Sequence, residues 1–154
     1  MNRVLIVCTG NTCRSPLAAA QLAQSLAALG AATVAVESAG TAAWDGSPAS
    51  EGSYLVGLEH GLDLSAHRAR PLTAAIVEAA DLILTMSRTH LARVRELGGG
   101  ARAHLLTEYA GRGGSNAEVA DPFGGDLEDY RATYRALAAM MPAIALRLLD
   151  RAPG

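Results

Sequence analysis

The chain has 154 residues, half of them hydrophobic and 18% charged, with a net charge of −2. That is enough apolar material for a single domain spanning 1–154 with a proper core, and too much for a disordered chain. A charge balance this close to neutral argues against nucleic acid or an anionic membrane surface as a partner.

Residues 4–7, Val-Leu-Ile-Val, predict a first strand. The loop Cys8-Thr9-Gly10-Asn11-Thr12-Cys13-Arg14-Ser15 follows it directly. Ser15 then reads as the N-cap of a helix, with Pro16 at the first helical position. That helix covers 17–29, with apolar positions at Leu22, Leu26 and Leu29, and Gly30 stops it. A second strand is predicted over 33–36, ending at Glu37-Ser38-Ala39-Gly40. One helix follows Ser47-Pro48 and runs to about His60, and a short one covers 72–80. Residues 81–86 form a nearly continuous apolar run, the signature of a strand buried on both faces. A helix over 88–97, closed by three glycines, leads to a fourth strand at 103–106. The glycine-rich stretch 111–125 is a long connection, and such loops inside a domain usually carry function. The last helix starts with Asp126 as N-cap. Its apolar stripe (Leu127, Tyr130, Tyr134, Leu137, Met141, Ile144, Leu148) faces the core, and Pro142 is expected to kink it at a cost of about 3 kcal/mol.

Strands alternating with helices through short connections imply an α/β fold, a parallel sheet with helices on both faces. Binding sites in such sheets lie at the carboxyl ends of strands, where 8–15 and 38–41 both fall. No apolar run approaches a membrane span, and 4–7 is too short for a signal peptide, so the expected location is the cytoplasm. Two cysteines five positions apart in a cytoplasmic chain read as reactive rather than as a structural disulfide.

The chemistry concentrates in the first loop. Between a strand and a helix start, its backbone N–H groups and the positive end of the helix dipole converge on one point, which suits an anion. Gly10 and Asn11 are the residue types that most readily take the positive φ such a nest requires. Cys8 is the expected nucleophile, its thiol acidified by the amides, the dipole and Arg14. Arg14 offers a planar fork for two phosphoryl oxygens, and Ser15 can donate its hydroxyl to the Cys8 thiolate. Thiolate attack on phosphorus needs an acid on the far side. Asp121, stiffened by Pro122, is the best candidate, and such assistance contributes about 10²–10⁴ in rate. His60, His67, His90 and His104 show no metal-ligand spacing, and no metal or other cofactor is expected.

With these pieces in place the chain resembles the low-molecular-weight protein phosphatases over essentially its whole length. The resemblance rests on 8–16 (CTGNTCRSP), Ser38-Ala39-Gly40-Thr41, 66–71 (AHRARP), 81–86 (DLILTM) and Asp121-Pro122-Phe123-Gly124-Gly125, in order and at the right spacing. It implies a three-layer sandwich around a four-stranded parallel sheet and a cysteinyl-phosphate intermediate. It makes Cys8 the nucleophile, Arg14 the phosphate clamp and Asp121 the general acid, then base. Thr9, Gly10, Asn11, Thr12, Cys13 and Ser15 bind the phosphate, and Trp44 and Phe123 flank the substrate. Ser38 and His67 form a supporting network that holds Asn11 in its strained conformation. The implied partner is a phosphorylated protein, the product inorganic phosphate, and the assembly a monomer or weak dimer.

Two positions point to a branch. Tyrosine-specific members usually carry a bulky aliphatic residue at Thr12 and paired tyrosines after Asp-Pro, where this chain has Thr12 and Phe123-Gly124-Gly125. These choices resemble the bacterial protein-arginine phosphatases, making phosphoarginine the expected substrate and phosphotyrosine the alternative. Trp44 points the other way, and Ala20 replaces a glutamate common in the family. An arsenate reductase on this fold needs further cysteines downstream of Cys8 and Cys13, and a non-catalytic binding module would be expected to lack the nucleophile or the acid.

Overall fold

Alternation along the first strand sets the architecture. In β1 (Arg3–Cys8) the side chains of Val4, Ile6 and Cys8 join one apolar cluster, and Leu5 and Val7 join another on the opposite face. In this computed structural model, which describes residues 2–112 and 118–151, the remaining strands are β2 (Ala35–Gly40), β3 (Leu82–Thr85) and β4 (Ala103–Leu105). They pair in the order β2-β1-β3-β4, all parallel, with Cys8 opposite Gly40 and Val7 opposite Thr85. The expected α/β fold is therefore present.

The helices are α1 (Arg14–Ala28), α2 (Glu51–Glu59), α3 (Ala74–Ala79), α4 (Arg88–Glu96), α5 (Leu106–Tyr109), α6 (Leu127–Ala138) and α7 (Met141–Arg151). Leu17, Leu22 and Leu26 of α1 pack with Leu137 of α6 and Ile144 and Leu148 of α7 against one face of the sheet. Val77 of α3 and Leu91 and Val94 of α4 cover the other. Because β2 and β3 flank β1 on opposite sides, the chain order reverses at β1. A crevice opens beyond the carboxyl end of that strand, at Cys8.

Several boundaries differ from the sequence expectation. Helix α1 begins at Arg14, with Cys13 in the N-cap position and no side-chain cap, so Ser15 is inside the first turn and is not the cap. Pro16 is harmless there, because first-turn amides have no helical acceptor to lose. The α1 end is as expected: Gly30 has φ 78, and the Ala31 N–H reaches the Leu26 carbonyl in a Schellman closure. That closure leaves Leu29 at the C-cap, half exposed rather than buried. Strand β2 starts two residues later than expected, since the Ala35 N–H is the first to reach β1's neighbour, the Asn2 carbonyl. Ser47-Pro48 starts no helix; α2 waits until Glu51, after Ser50. The last residue of the expected fourth strand, Leu106, already opens α5. Asp126 does cap α6, in a reciprocal capping box with Asp129.

The last helix is two helices rather than one kinked one. Pro142 has no N–H to give the Ala138 carbonyl, and its ring crowds that oxygen, so the chain turns at Ala139 and Met140 and restarts with Pro142 in the new first turn. The stretch Leu127–Asp150 is long and apolar enough to cross a membrane, contrary to the expectation that no segment is. Leu137, Ile144 and Ala145 on it are nevertheless fully buried against α1 and the sheet.

Gly40, where β2 ends, brings the sheet against the first loop: a Cβ there would meet the Thr9 carbonyl, and at 2.9 Å the Asn11 nitrogen. Gly40→Ala is expected to cost about 1–3 kcal/mol by forcing that backbone apart. Denaturant melts of the two proteins check this.

Candidate active site

The loop after β1 is tied down from outside. The Cys8, Thr9 and Thr12 carbonyls accept from the Thr41, Ala42 and Ser50 amides at 3.0, 2.9 and 2.9 Å, and the Cys13 carbonyl accepts from the Ser53 hydroxyl at 3.0 Å. With carbonyls engaged behind it, the loop curls around a cavity of about 180 Å³ lined by Cys8, Thr9, Gly10, Thr12, Cys13, Arg14, Asp121 and Phe123.

Asn11 sets the curl. Among the described residues it is the one non-glycine with a positive φ, 56°. Its side-chain amide donates to Ser15 Oγ at 2.7 Å and Ser38 Oγ at 2.9 Å, and Oδ1 accepts from the Arg70 amide at 3.0 Å. Its carbonyl accepts from His67 Nε2 at 2.6 Å, which places the His67 proton on that nitrogen. Burial, against the opposing hydrogen bond to the Asn11 carbonyl, lowers the pKa of His67 below its ordinary value. The Ser15 hydroxyl, already accepting from Asn11, has its hydrogen left for Cys8 Sγ, 3.0 Å away.

Arg14 is buried at the cavity wall. Its Nη1 donates to the Val119 carbonyl at 2.9 Å, its Nη2 to Thr9 Oγ1 at 3.4 Å, and Nη2 lies 3.5 Å from Asp121 Oδ2. Its Nε–H, although buried, has no acceptor among the described residues. Asp121 is half exposed, and its Oδ1 accepts from the Phe123 amide at 3.0 Å, a local turn that points the other oxygen toward Arg14.

The sequence-derived residues thus divide into three groups. Cys8, Thr9, Gly10, Thr12, Cys13, Arg14, Asp121 and Phe123 line one cavity. Asn11 and Ser15, expected to bind the anion, stand behind the loop with Ser38 and His67, because their side chains are spent on its frame. The Cys13 thiol also points away, toward Ser50 Oγ at 3.3 Å and the Tyr130 hydroxyl at 3.6 Å, so only its backbone is offered to the cavity. Trp44 is 83% exposed and does not line the cavity, and of the expected connection 111–125, residues 113–117 lie outside the described residues.

One residue was missed. His90 is 3% exposed, with Nε2 2.8 Å from Thr9 Oγ1 and Nδ1 3.0 Å from Ser87 Oγ. Ser87 is the N-cap of α4, accepting from the His90 amide. A serine followed three positions later by histidine, just past a buried strand adjoining β1, was the available signal.

A thiol at a cavity walled by a buried guanidinium and a facing carboxyl is the arrangement of a cysteine-dependent phosphatase. The chain matches the family model of the low molecular weight phosphotyrosine protein phosphatases over residues 3–152, and it belongs to that family of hydrolases. It is 37% identical over 146 residues to a protein-arginine-phosphatase of Geobacillus stearothermophilus, covering 95% of each chain. It is also 37% identical to the low molecular weight protein-tyrosine phosphatase A of Mycobacterium bovis, over 92% of this chain and 88% of that one. A solved structure of a cysteine-to-serine mutant of YwlE arginine phosphatase, with a phosphorylated active-site serine, superposes with a TM-score of 0.85. It is 32% identical and covers 96% of this chain and 95% of that one.

Burial first, and then the charge of Arg14, push the pKa of His90 down from 6.5 to about 4, against weaker opposing pulls from Glu118 and Asp121. The folded state therefore takes up no proton at His90 where the unfolded chain does, and stability is lost as pH falls from 6.5 toward about 4. Thermal melts across that range are expected to fall more steeply for the wild type than for His90→Gln. Parallel curves would refute a buried neutral imidazole.

Proposed function

We propose that this chain removes phosphate from arginine side chains of proteins, through a phosphorylated Cys8. What carries the reading is the single cavity shared by Cys8, Arg14, Thr12 and Asp121. Arg14 and the loop amides hold the phosphoryl oxygens, and the Nε–H of Arg14 is a donor reserved for them. The Ser15 hydroxyl, 3.0 Å away, donates to the attacking Cys8 sulfur. The thiolate attacks phosphorus, the S–P bond forms and the P–N bond to the guanidine breaks. Asp121 gives its proton to the departing nitrogen. Asp121, now a carboxylate, then takes a proton from water as that water attacks phosphorus, releasing inorganic phosphate and the thiolate.

Arginine rather than tyrosine is favoured by Thr12, a residue of the cavity lining at which a larger aliphatic side chain would suit an aromatic ring. The arginine phosphatase from Geobacillus stearothermophilus and the mycobacterial tyrosine phosphatase are both 37% identical to this chain, so identity does not separate the two readings, and tyrosine stands second on Thr12. Reduced thiols are needed at Cys8, which suits action in the cytoplasm.

Three substitutions test this. Cys8→Ser is expected to abolish turnover while leaving phosphate binding largely in place; turnover within tenfold of wild type would sink the mechanism. Asp121→Asn is expected to slow turnover by about 10²-fold, and more on poor leaving groups than on an activated aryl phosphate. Equal losses on both would remove Asp121 as the acid. Thr12→Ile is expected to lower kcat/KM for a phosphoarginine peptide relative to a phosphotyrosine peptide by about tenfold or more, a lost hydrogen bond discriminating more than a methylene. A wild type that prefers phosphotyrosine, or a ratio that does not move, transfers the assignment to tyrosine.

A further inference from the structure

Arg14 enters the cavity from the first turn of α1, but its guanidinium is fixed by groups far away in the chain. One side rests on the Val119 carbonyl. The other rests on Thr9 Oγ1, and that hydroxyl has a second partner, His90 Nε2 at 2.8 Å. Arg14 Nη2 can only donate, so Thr9 Oγ1 accepts from it, and the hydroxyl keeps its own hydrogen and a second lone pair for His90. With the Thr9 hydrogen given to His90, Nε2 accepts, the imidazole proton sits on Nδ1, and Nδ1 donates to Ser87 Oγ at 3.0 Å.

We propose that His90 is a positioning residue for the phosphate-binding arginine: it accepts the Thr9 hydroxyl and so turns the Thr9 lone pair toward Arg14. The relay Ser87–His90–Thr9–Arg14 runs from the N-cap of α4 to the cavity wall, which Thr9 and Arg14 both line. His90 itself touches no reacting atom. Its neutrality is essential, because a proton on Nε2 would compete for the Thr9 oxygen and set a second cation near Arg14. Burial and the Arg14 charge both oppose that proton, while Glu118 and Asp121 favour it less strongly. The contact from Arg14 to Thr9 is long, at 3.4 Å, so a hydroxyl free to rotate would not hold the guanidinium in register.

This inference rests on Arg14 binding phosphate, and the test separates the two. Full-length wild type, His90→Asn, His90→Gln, Thr9→Val and the Thr9→Val/His90→Asn double variant are compared. Calorimetric affinity for inorganic phosphate, kcat and KM on p-nitrophenyl phosphate, and melting temperature are measured for each. Asparagine keeps a donor near Ser87 but does not reach Thr9; glutamine can place its carbonyl oxygen where Nε2 stood. His90→Asn is expected to weaken phosphate binding and kcat/KM by about tenfold each, the loss of one bond in a charge-assisted chain. His90→Gln is expected to recover most of that loss, and the double variant to be no worse than Thr9→Val. The proposal is overturned if His90→Asn lowers only the melting temperature, if glutamine fails to rescue, or if the two losses multiply. A wild type that neither binds phosphate nor turns over removes the phosphatase reading first, and the positioning role with it.

Discussion

The site depends on one backbone torsion. Asn11 is held at φ 56, a conformation that residues other than glycine adopt at a cost, and the cost is met by four hydrogen bonds, given to Ser15 and Ser38 and accepted from His67 and Arg70. Those partners come from α1, from β2 and from the segment before α3, so the phosphate loop acquires its curvature only when the sheet and the connection 66–71 are both in place. Every feature of the cavity follows from that curvature. The carbonyls turn outward, the cavity forms, and the Ser15 hydrogen is directed to the Cys8 sulfur.

The sheet order supplies the location and the loop supplies the chemistry. A reversal at β1 leaves a crevice at the carboxyl end of that strand, and residues 8–14 fill it. The carboxyl facing Arg14 comes from Asp121, just past the Val119 carbonyl that Arg14 anchors 105 residues downstream. One guanidinium thus joins the two halves of the site. Its other support passes through Thr9 to His90, so β1, α1, α4 and the segment around Val119 meet at a single side chain.

Much of this was legible in the residue order. The spacing of Cys8 and Arg14, the Asp121-Pro122 pair and the strand–helix alternation each point to a local chemistry that needs no long-range information. What escaped was whatever three-dimensional neighbours decide. Ser15 looks like a cap because serine before proline usually is one; here Asn11 and Cys8 claim its hydroxyl and the helix starts at Arg14. Pro142 was expected to kink a helix, but with Ala138 and Met141 on separate core-facing turns the break became complete. His90 was invisible as a site residue because its meaning lies in a contact to Thr9, 81 positions away. Trp44, prominent in the sequence, stands in solvent outside the cavity wall.

The burial of Arg14 has a thermodynamic side. Its guanidinium is 5% exposed, yet its closest partners are a carbonyl and a hydroxyl, with the nearest full negative charge 3.5 Å away on a half-exposed aspartate. Folding therefore desolvates a cation without fully neutralising it, a debt that a hydrophobic side chain in the same place would not incur. An anion in the cavity would supply the missing charge. The free energy withheld from the fold is returned to whatever anion binds, and the protein is most stable when it holds one, in proportion to the logarithm of its concentration over Kd.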